Sequence, residues 1–105
     1  MEQNKEQSEI RTLDLNREPD MYDVVFLNDD FTPMDFVVDV LRRVFFLNAT
    51  VATALMLAVH RSGSAVVGTY ILDIAQSKQV KAAGMAQRAG YPLRIKLKPH
   101  KDNLE

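Results

Sequence analysis

No cysteine occurs in the 105 residues. That excludes a disulfide framework and thiolate-ligated metal sites, and it fits a reducing compartment, so the cytoplasm is the expected location. A long uninterrupted apolar run is also missing. The best candidate, residues 36–59, is interrupted by Asp39, Arg42, Arg43 and a turn-forming Asn48, whereas a membrane span needs about 20 mostly apolar residues. It reads instead as two buried helices. Neither sign of charge dominates: 13 Lys and Arg face 14 Asp and Glu, a net charge of −1, so no general attraction to phosphate backbones is expected. The opening Met1-Glu2-Gln3-Asn4-Lys5-Glu6 lacks the basic start and apolar stretch of an export signal. No H-E-x-x-H, glycine-rich phosphate loop or nucleophile elbow is present, so the usual scaffolds of metalloprotease, nucleotide and hydrolase chemistry are lacking. No cofactor is expected.

What remains is a chain with 47% apolar residues, enough for one domain with a modest core. Residues 1–20 are rich in charge and poor in large apolar groups, and are expected to form a flexible tail, about 60 to 70 Å long if extended at roughly 3.3 Å per residue. A folded core is expected over residues 21–99 and a short tail over 100–105. Tyr22-Asp23-Val24-Val25-Phe26-Leu27 reads as a first strand, stopped by the turn formers Asn28-Asp29-Asp30. Thr32-Pro33 predicts an N-cap followed by proline at the first helical position. Val37, Val40, Leu41, Val44 and Phe45 then follow helical spacing, with Phe36, Val38 and Phe46 widening the stripe and Asp39 four residues before Arg43.

Asn48 is placed to cap a second helix so continuously apolar that it should be covered on most sides. That helix should stop at Gly63. A strand over residues 65–70, a helix over 73–89 ended by Gly90 and Pro92, and a last strand complete the order. In the last strand Leu93, Ile95 and Leu97 alternate with Arg94, Lys96 and Lys98, a period of two that turns the cations to solvent. The expected fold class is α+β: one small domain, a three-stranded antiparallel sheet packed against three helices in the order β-α-α-β-α-β.

Three segments carry a resemblance. Asn28-Asp29-Asp30-Phe31-Thr32-Pro33-Met34-Asp35-Phe36-Val37, then Met56-Leu57-Ala58-Val59-His60, then Tyr91-Pro92-Leu93 resemble the ClpS adaptor family of the bacterial N-degron pathway, over about residues 21–98. The resemblance implies an adaptor that binds proteins with N-terminal Leu, Phe, Tyr or Trp and passes them to the hexameric ClpA unfoldase for degradation by ClpP. It places the α-amino group on Asn28, Asp29 and His60, with polar contacts from Asp30 and Thr32. It lines an apolar pocket with Met34, Val37, Met56, Val59 and Leu93, the Met34 position acting against β-branched side chains. It sets the contact with the ClpA N-terminal domain near the start of the third helix, at Asp73 and Lys78. There the chain departs from the family pattern: Ile71-Leu72 replaces a Thr-Arg pair, removing an N-cap, and Gln76 replaces an acidic residue. Charge reversal at Asp73 or Lys78 is expected to impair delivery and spare capture, and trimming residues 1–16 to stop handover.

The chemistry can be weighed separately from the family. A protonated α-amino group is compact and offers three donors, so its site needs converging acceptors and a nearby negative charge. Asn28 and Asp29 qualify, and His60 does when a ring nitrogen is unprotonated. Acid should therefore oppose binding. An internal peptide N–H brings one donor and no charge, and would leave such a site partly unpaired. Burying a Leu or Phe is worth roughly 1.5 to 3 kcal/mol, and each charge-assisted hydrogen bond a similar amount. After the cost of association this suggests affinity near the micromolar range, about −8 kcal/mol. Two other readings remain open at this level. One is a docking domain without peptide selectivity, and the other is an enzyme using Asp29, Asp30 and His60 as metal ligands or acid/base groups. A monomer that binds neither nucleic acid nor membrane is expected.

Overall fold

The computed structural model describes residues 19–101, so the expected N-terminal tail and the last residues lie outside the described region, apart from the segment next to the core. The elements are β1 (Met21–Leu27), α1 (Met34–Phe45), α2 (Ala49–Ser62), β2 (Ser64–Ile71), α3 (Leu72–Ala89) and β3 (Arg94–Pro99). They form the expected α+β domain. β1 lies at the centre of the sheet, antiparallel to β2 on one side and β3 on the other. Central placement explains its composition: Val24, Val25 and Phe26 are all buried.

Registers sort the two faces. Val24 stands opposite Gly68 and Leu97, and Phe26 opposite Ala65 and Ile95, on the face covered by the helices. Arg94, Lys96 and Lys98 are exposed, as the alternation in this stretch predicts. The register slips between Val24 and Val25, where Val67 is the extra residue and is buried. Asp23 is the one buried charged side chain among the described residues. Its Oδ1 accepts the Thr69 hydroxyl at 2.7 Å and lies 2.9 Å from Nδ1 of His100. The His100 N–H also donates to Met21 O at 2.8 Å, so the ordered pairing reaches one residue past the boundary expected at 99.

α1 buries Val37, Val40, Leu41, Val44 and Phe45 as one stripe, and Phe45 meets Phe26 edge-on at 5.5 Å between ring centres. On the outer side Arg43 Nε donates to Asp39 at 2.9 Å, the expected pair four residues apart. α3 packs through Ala75, Ala82 and Ala86, whose small side chains bring the helix close to its neighbours.

Four expectations need correction. Thr32 is not the cap of α1: Pro33 occupies that position with no side-chain bond, and its carbonyl accepts the N–H groups of Phe36 and Val37. Thr32 is held elsewhere, as described below. Phe46 does not widen the buried stripe; it closes α1 in a left-handed conformation and is 79% exposed. α2 is not covered on most sides, since only Ala52 and Val59 are buried in it. With helices on a single face of the sheet, no described element lies outside α2, and exposing alanine methyls costs little. Leu93 precedes β3 rather than opening it. The cap at Asn48 is as expected, its side chain accepting from Val51 N–H at 2.9 Å, and α3 starts behind Ile71 with no side-chain cap. No helix among the described residues is long and apolar enough to cross a membrane.

Candidate functional site

The end of β1 and the end of α2 are tied together by one bond. Asn28 N–H donates to Gly63 O at 2.8 Å, and Gly63 closes α2 at φ 90°, a conformation that favours glycine. This sets the loop after β1 beside the last turn of α2, where His60 sits. Within the loop Asp29 is the organiser. Its Oδ1 accepts the N–H groups of Phe31 at 2.8 Å and Thr32 at 2.7 Å, and its Oδ2 accepts the Thr32 hydroxyl at 2.8 Å. Such a side-chain turn is a local property of aspartate, and it delivers the chain to Pro33 at the start of α1.

Burial pushes the Asp29 pKa up, but the Thr32 hydroxyl, the Thr32 and Phe31 N–H groups and the Arg94 charge together outweigh it. The net result is a pKa below the ordinary value. The carboxylate therefore stays ionised at neutral pH. Each carboxylate oxygen has more than one lone-pair direction, so these internal bonds leave acceptor capacity for a ligand.

Beside the loop is a cavity of about 230 Å³. Asn28, Asp29, Asp30, Thr32, Met34, Val37, Met56, Val59 and His60 line it, so β1's exit, the start of α1 and the last turns of α2 all contribute. Val37 and Val59 are buried, Met56 is half-buried, and Met34 is 44% exposed. The lining is mixed: carboxylates, an amide and an imidazole occur together with aliphatic and thioether groups. A benzene ring fits an apolar cavity of about 150 Å³, so this hollow has room for a Leu or aromatic side chain.

Every residue expected to bind an α-amino group or to make polar contacts lines this one cavity, as do all the expected apolar pocket residues except Leu93. Leu93 belongs to the core cluster that contains Val37 and Val59 and is absent from the lining. Nearby, the Tyr91 ring meets Phe36 edge-on at 4.8 Å. Sequence reasoning missed two contributors. Gly63 acts through its carbonyl, which no side-chain pattern reveals, and Arg94 was read only as part of a solvated strand face. Among the described residues, no group of three or more His, Cys, Asp or Glu is placed to hold a metal ion.

Asp73 and Lys78 lie apart from this cavity. Asp73 is exposed in the first turn of α3. Lys78 is drawn into the structure: Nζ donates to Val44 O at 2.8 Å, near the end of α1. It also lies 4.7 Å from the Phe46 ring centre, 5.3 Å from Tyr70 and 5.7 Å from Phe45. Desolvation, with a smaller contribution from Lys81, lowers its pKa. Charge reversal at Lys78 would therefore also disturb the end of α1, which leaves Asp73 as the cleaner probe of a contact there.

A sheet-and-helix domain whose loop presents acceptors beside an apolar hollow belongs to the class of small binding adaptors, and comparison with known proteins gives the class its family. The profile of "ATP-dependent Clp protease adaptor protein ClpS" matches residues 17–96. The chain is 48% identical over 83 residues to the ATP-dependent Clp protease adapter protein ClpS of Acetivibrio thermocellus, covering 79% of this chain and 84% of that one. It is 41% identical over 99 residues to that of Deinococcus radiodurans, covering 90% and 88%. Among solved structures it is similar to Agrobacterium tumefaciens ClpS2 bound to L-phenylalaninamide, with a TM-score of 0.77, 40% identity, and coverage of 79% of this chain and all of the other. The chain belongs to the ClpS family of Clp protease adaptors.

Proposed function

We propose that this adaptor captures proteins whose first residue is Leu, Phe, Tyr or Trp, and hands them to the ClpA unfoldase of the ClpAP protease. The observation that carries the reading is the mixed lining of one cavity, to which Asn28, Asp29 and His60 contribute together with Val37, Met56 and Val59. The ligand of the related ClpS2 has the chemistry such a lining would accept. L-phenylalaninamide carries a free α-amino group and a benzyl side chain, and its amide stands in for the first peptide bond of a substrate.

In this reading the ammonium group sits among Asn28, Asp29 and a ring nitrogen of His60, where its three donors and its charge are matched. Asp30 and the lone pairs of the Thr32 hydroxyl contact the polar atoms of the first residue. The side chain enters between Val37, Met56 and Val59, and Met34 at the rim disfavours branching at Cβ. Leu93 supports that wall from behind, within the core. The polar groups serve as acceptors for a bound cation, so the protein is a binder and not a catalyst. It acts as a monomer in the cytoplasm, its delivery surface includes Asp73, and the N-terminal residues act in handover.

Fluorescence anisotropy with paired peptides tests this directly. A peptide starting with free Phe should bind near the micromolar range and its N-acetylated twin should not, because acetylation removes the charge and two donors. Equal binding of both, or of neither, would favour a docking domain without peptide selectivity.

A further inference from the structure

Phe46 breaks two local rules at once. It follows α1 with φ 57° and ψ 33°, a left-handed conformation that suits Gly or Asn and is rare for a bulky side chain. It is also 79% exposed, the highest value among the large apolar residues described. A position that is sterically and hydropathically suited to Asn is filled by an aromatic ring, and such local conflicts concentrate at functional sites. The ring is also fixed from one side, because the Lys78 ammonium lies 4.7 Å from its centre while bonded to Val44 O. Ile74, 45% exposed, lies one helical turn before Lys78 on α3. A shallow concavity of about 460 Å³ adjoins the ring, lined by Asp39, Arg42, Arg43, Leu47 and Asn48 among others.

We infer that Phe46, held by Lys78, is the apolar anchor of the surface that docks on the unfoldase of the Clp protease, and that Lys78 is a positioning residue for it. This rests on the delivery role proposed above. Three features choose the occupant. α1 is 12 residues long, so at 1.5 Å per residue Phe46 lies about 18 Å along the helix from Met34. That separation leaves substrate and unfoldase free to bind together. The surroundings carry more cations than anions, with Arg42, Arg43, Lys78 and Lys81 against Asp73 and Asp39, the latter in an ion pair with Arg43. A second copy of the chain would bring these cations face to face. The matching partner surface is an apolar socket rimmed by carboxylates, and aromatic residues are enriched at the centres of such contacts.

The test uses the full chain, the isolated ClpA N-terminal domain and an N-terminal Phe peptide. Phe46→Asn should weaken the ClpA domain by at least about tenfold while leaving peptide affinity unchanged. Because Asn suits the left-handed position, the thermal midpoint should not fall. Val80→Asn is the control: Val80 is 69% exposed and lies two residues beyond Lys78, hence on another side of α3. It should bind ClpA as the wild type does. Unchanged ClpA affinity in Phe46→Asn, an equal loss in Val80→Asn, or a wild-type dimer abolished by Phe46→Asn would each overturn the inference. If the wild type bound the peptide but not the ClpA domain, the delivery reading would fail and this surface with it.

Discussion

Replacing Asp29 with Asn separates the two tasks that the structure gives this side chain. The Asn carbonyl can take the place of Oδ1 and accept the Phe31 and Thr32 N–H groups, and the Thr32 hydroxyl can rotate to accept from the new amide. The loop should persist. What disappears is the charge. A hydrogen bond to a charged partner is worth about 1.5 to 3 kcal/mol against about 0.5 to 1.5 for a neutral one, so the ligand's ammonium should lose about 1 to 2 kcal/mol. That corresponds to roughly 5- to 30-fold weaker binding of an N-terminal Phe peptide. Because the site opens to solvent, added salt should narrow the gap between wild type and variant. Anisotropy titration gives the affinity, and urea unfolding in parallel reports the loop. The folded-state pKa of Asp29 lies below its ordinary 3.8, so its ionised form stabilises the fold above that value, and the contribution fades as pH falls through the lower folded value. The variant should lack this acid-sensitive component. Unchanged peptide affinity in a variant of unchanged stability would show that Asp29 only braces the loop, and would refute its role in holding the amine.

Three further outcomes follow from the geometry. Met34→Ala, which opens the rim of the cavity, should let peptides beginning with Ile or Val bind while altering Phe binding by less than about fivefold; continued exclusion of Ile would remove Met34 from specificity. Gly68→Ala should destabilise by about 1 to 3 kcal/mol in thermal unfolding, because the added Cβ would lie 2.5 Å from the Tyr70 hydroxyl oxygen and displace the ring that Lys78 approaches. Asn48→Ala should cost about 1 kcal/mol by removing the bond to Val51 N–H, again read by thermal unfolding, with peptide affinity preserved.

Much of this molecule was legible from residue order because the signals were local. Alternation along Ile95, Lys96, Leu97 and Lys98, the stripe of Val37, Val40, Leu41, Val44 and Phe45, the cap at Asn48 and the stops at Gly63 and Gly90 each depend on a few neighbouring residues. Each recurs in the fold. The turn at Asn28-Asp29-Asp30 was legible for the same reason, as a preference of short polar side chains for nearby backbone groups. Where sequence reasoning failed, a local pattern was compatible with more than one outcome. Thr32 looked like a cap until Asp29 claimed both its N–H and its hydroxyl. α2 looked buried because apolar content does not say how many sides a neighbour will cover. Phe46 looked like core because helical spacing cannot reveal where a helix stops.

Residue order by itself determined the elements, their sequence along the chain and the chemical types available to a binding site, since propensity, periodicity and turn chemistry act over short stretches. Only the tertiary structure decided that Asn28 and His60 would share a cavity, through the bond from Asn28 to Gly63, that Leu93 would fall outside its lining, and that Lys78 would turn inward toward Val44. Those outcomes depend on how elements distant in sequence pack and which polar groups that packing leaves to be paired.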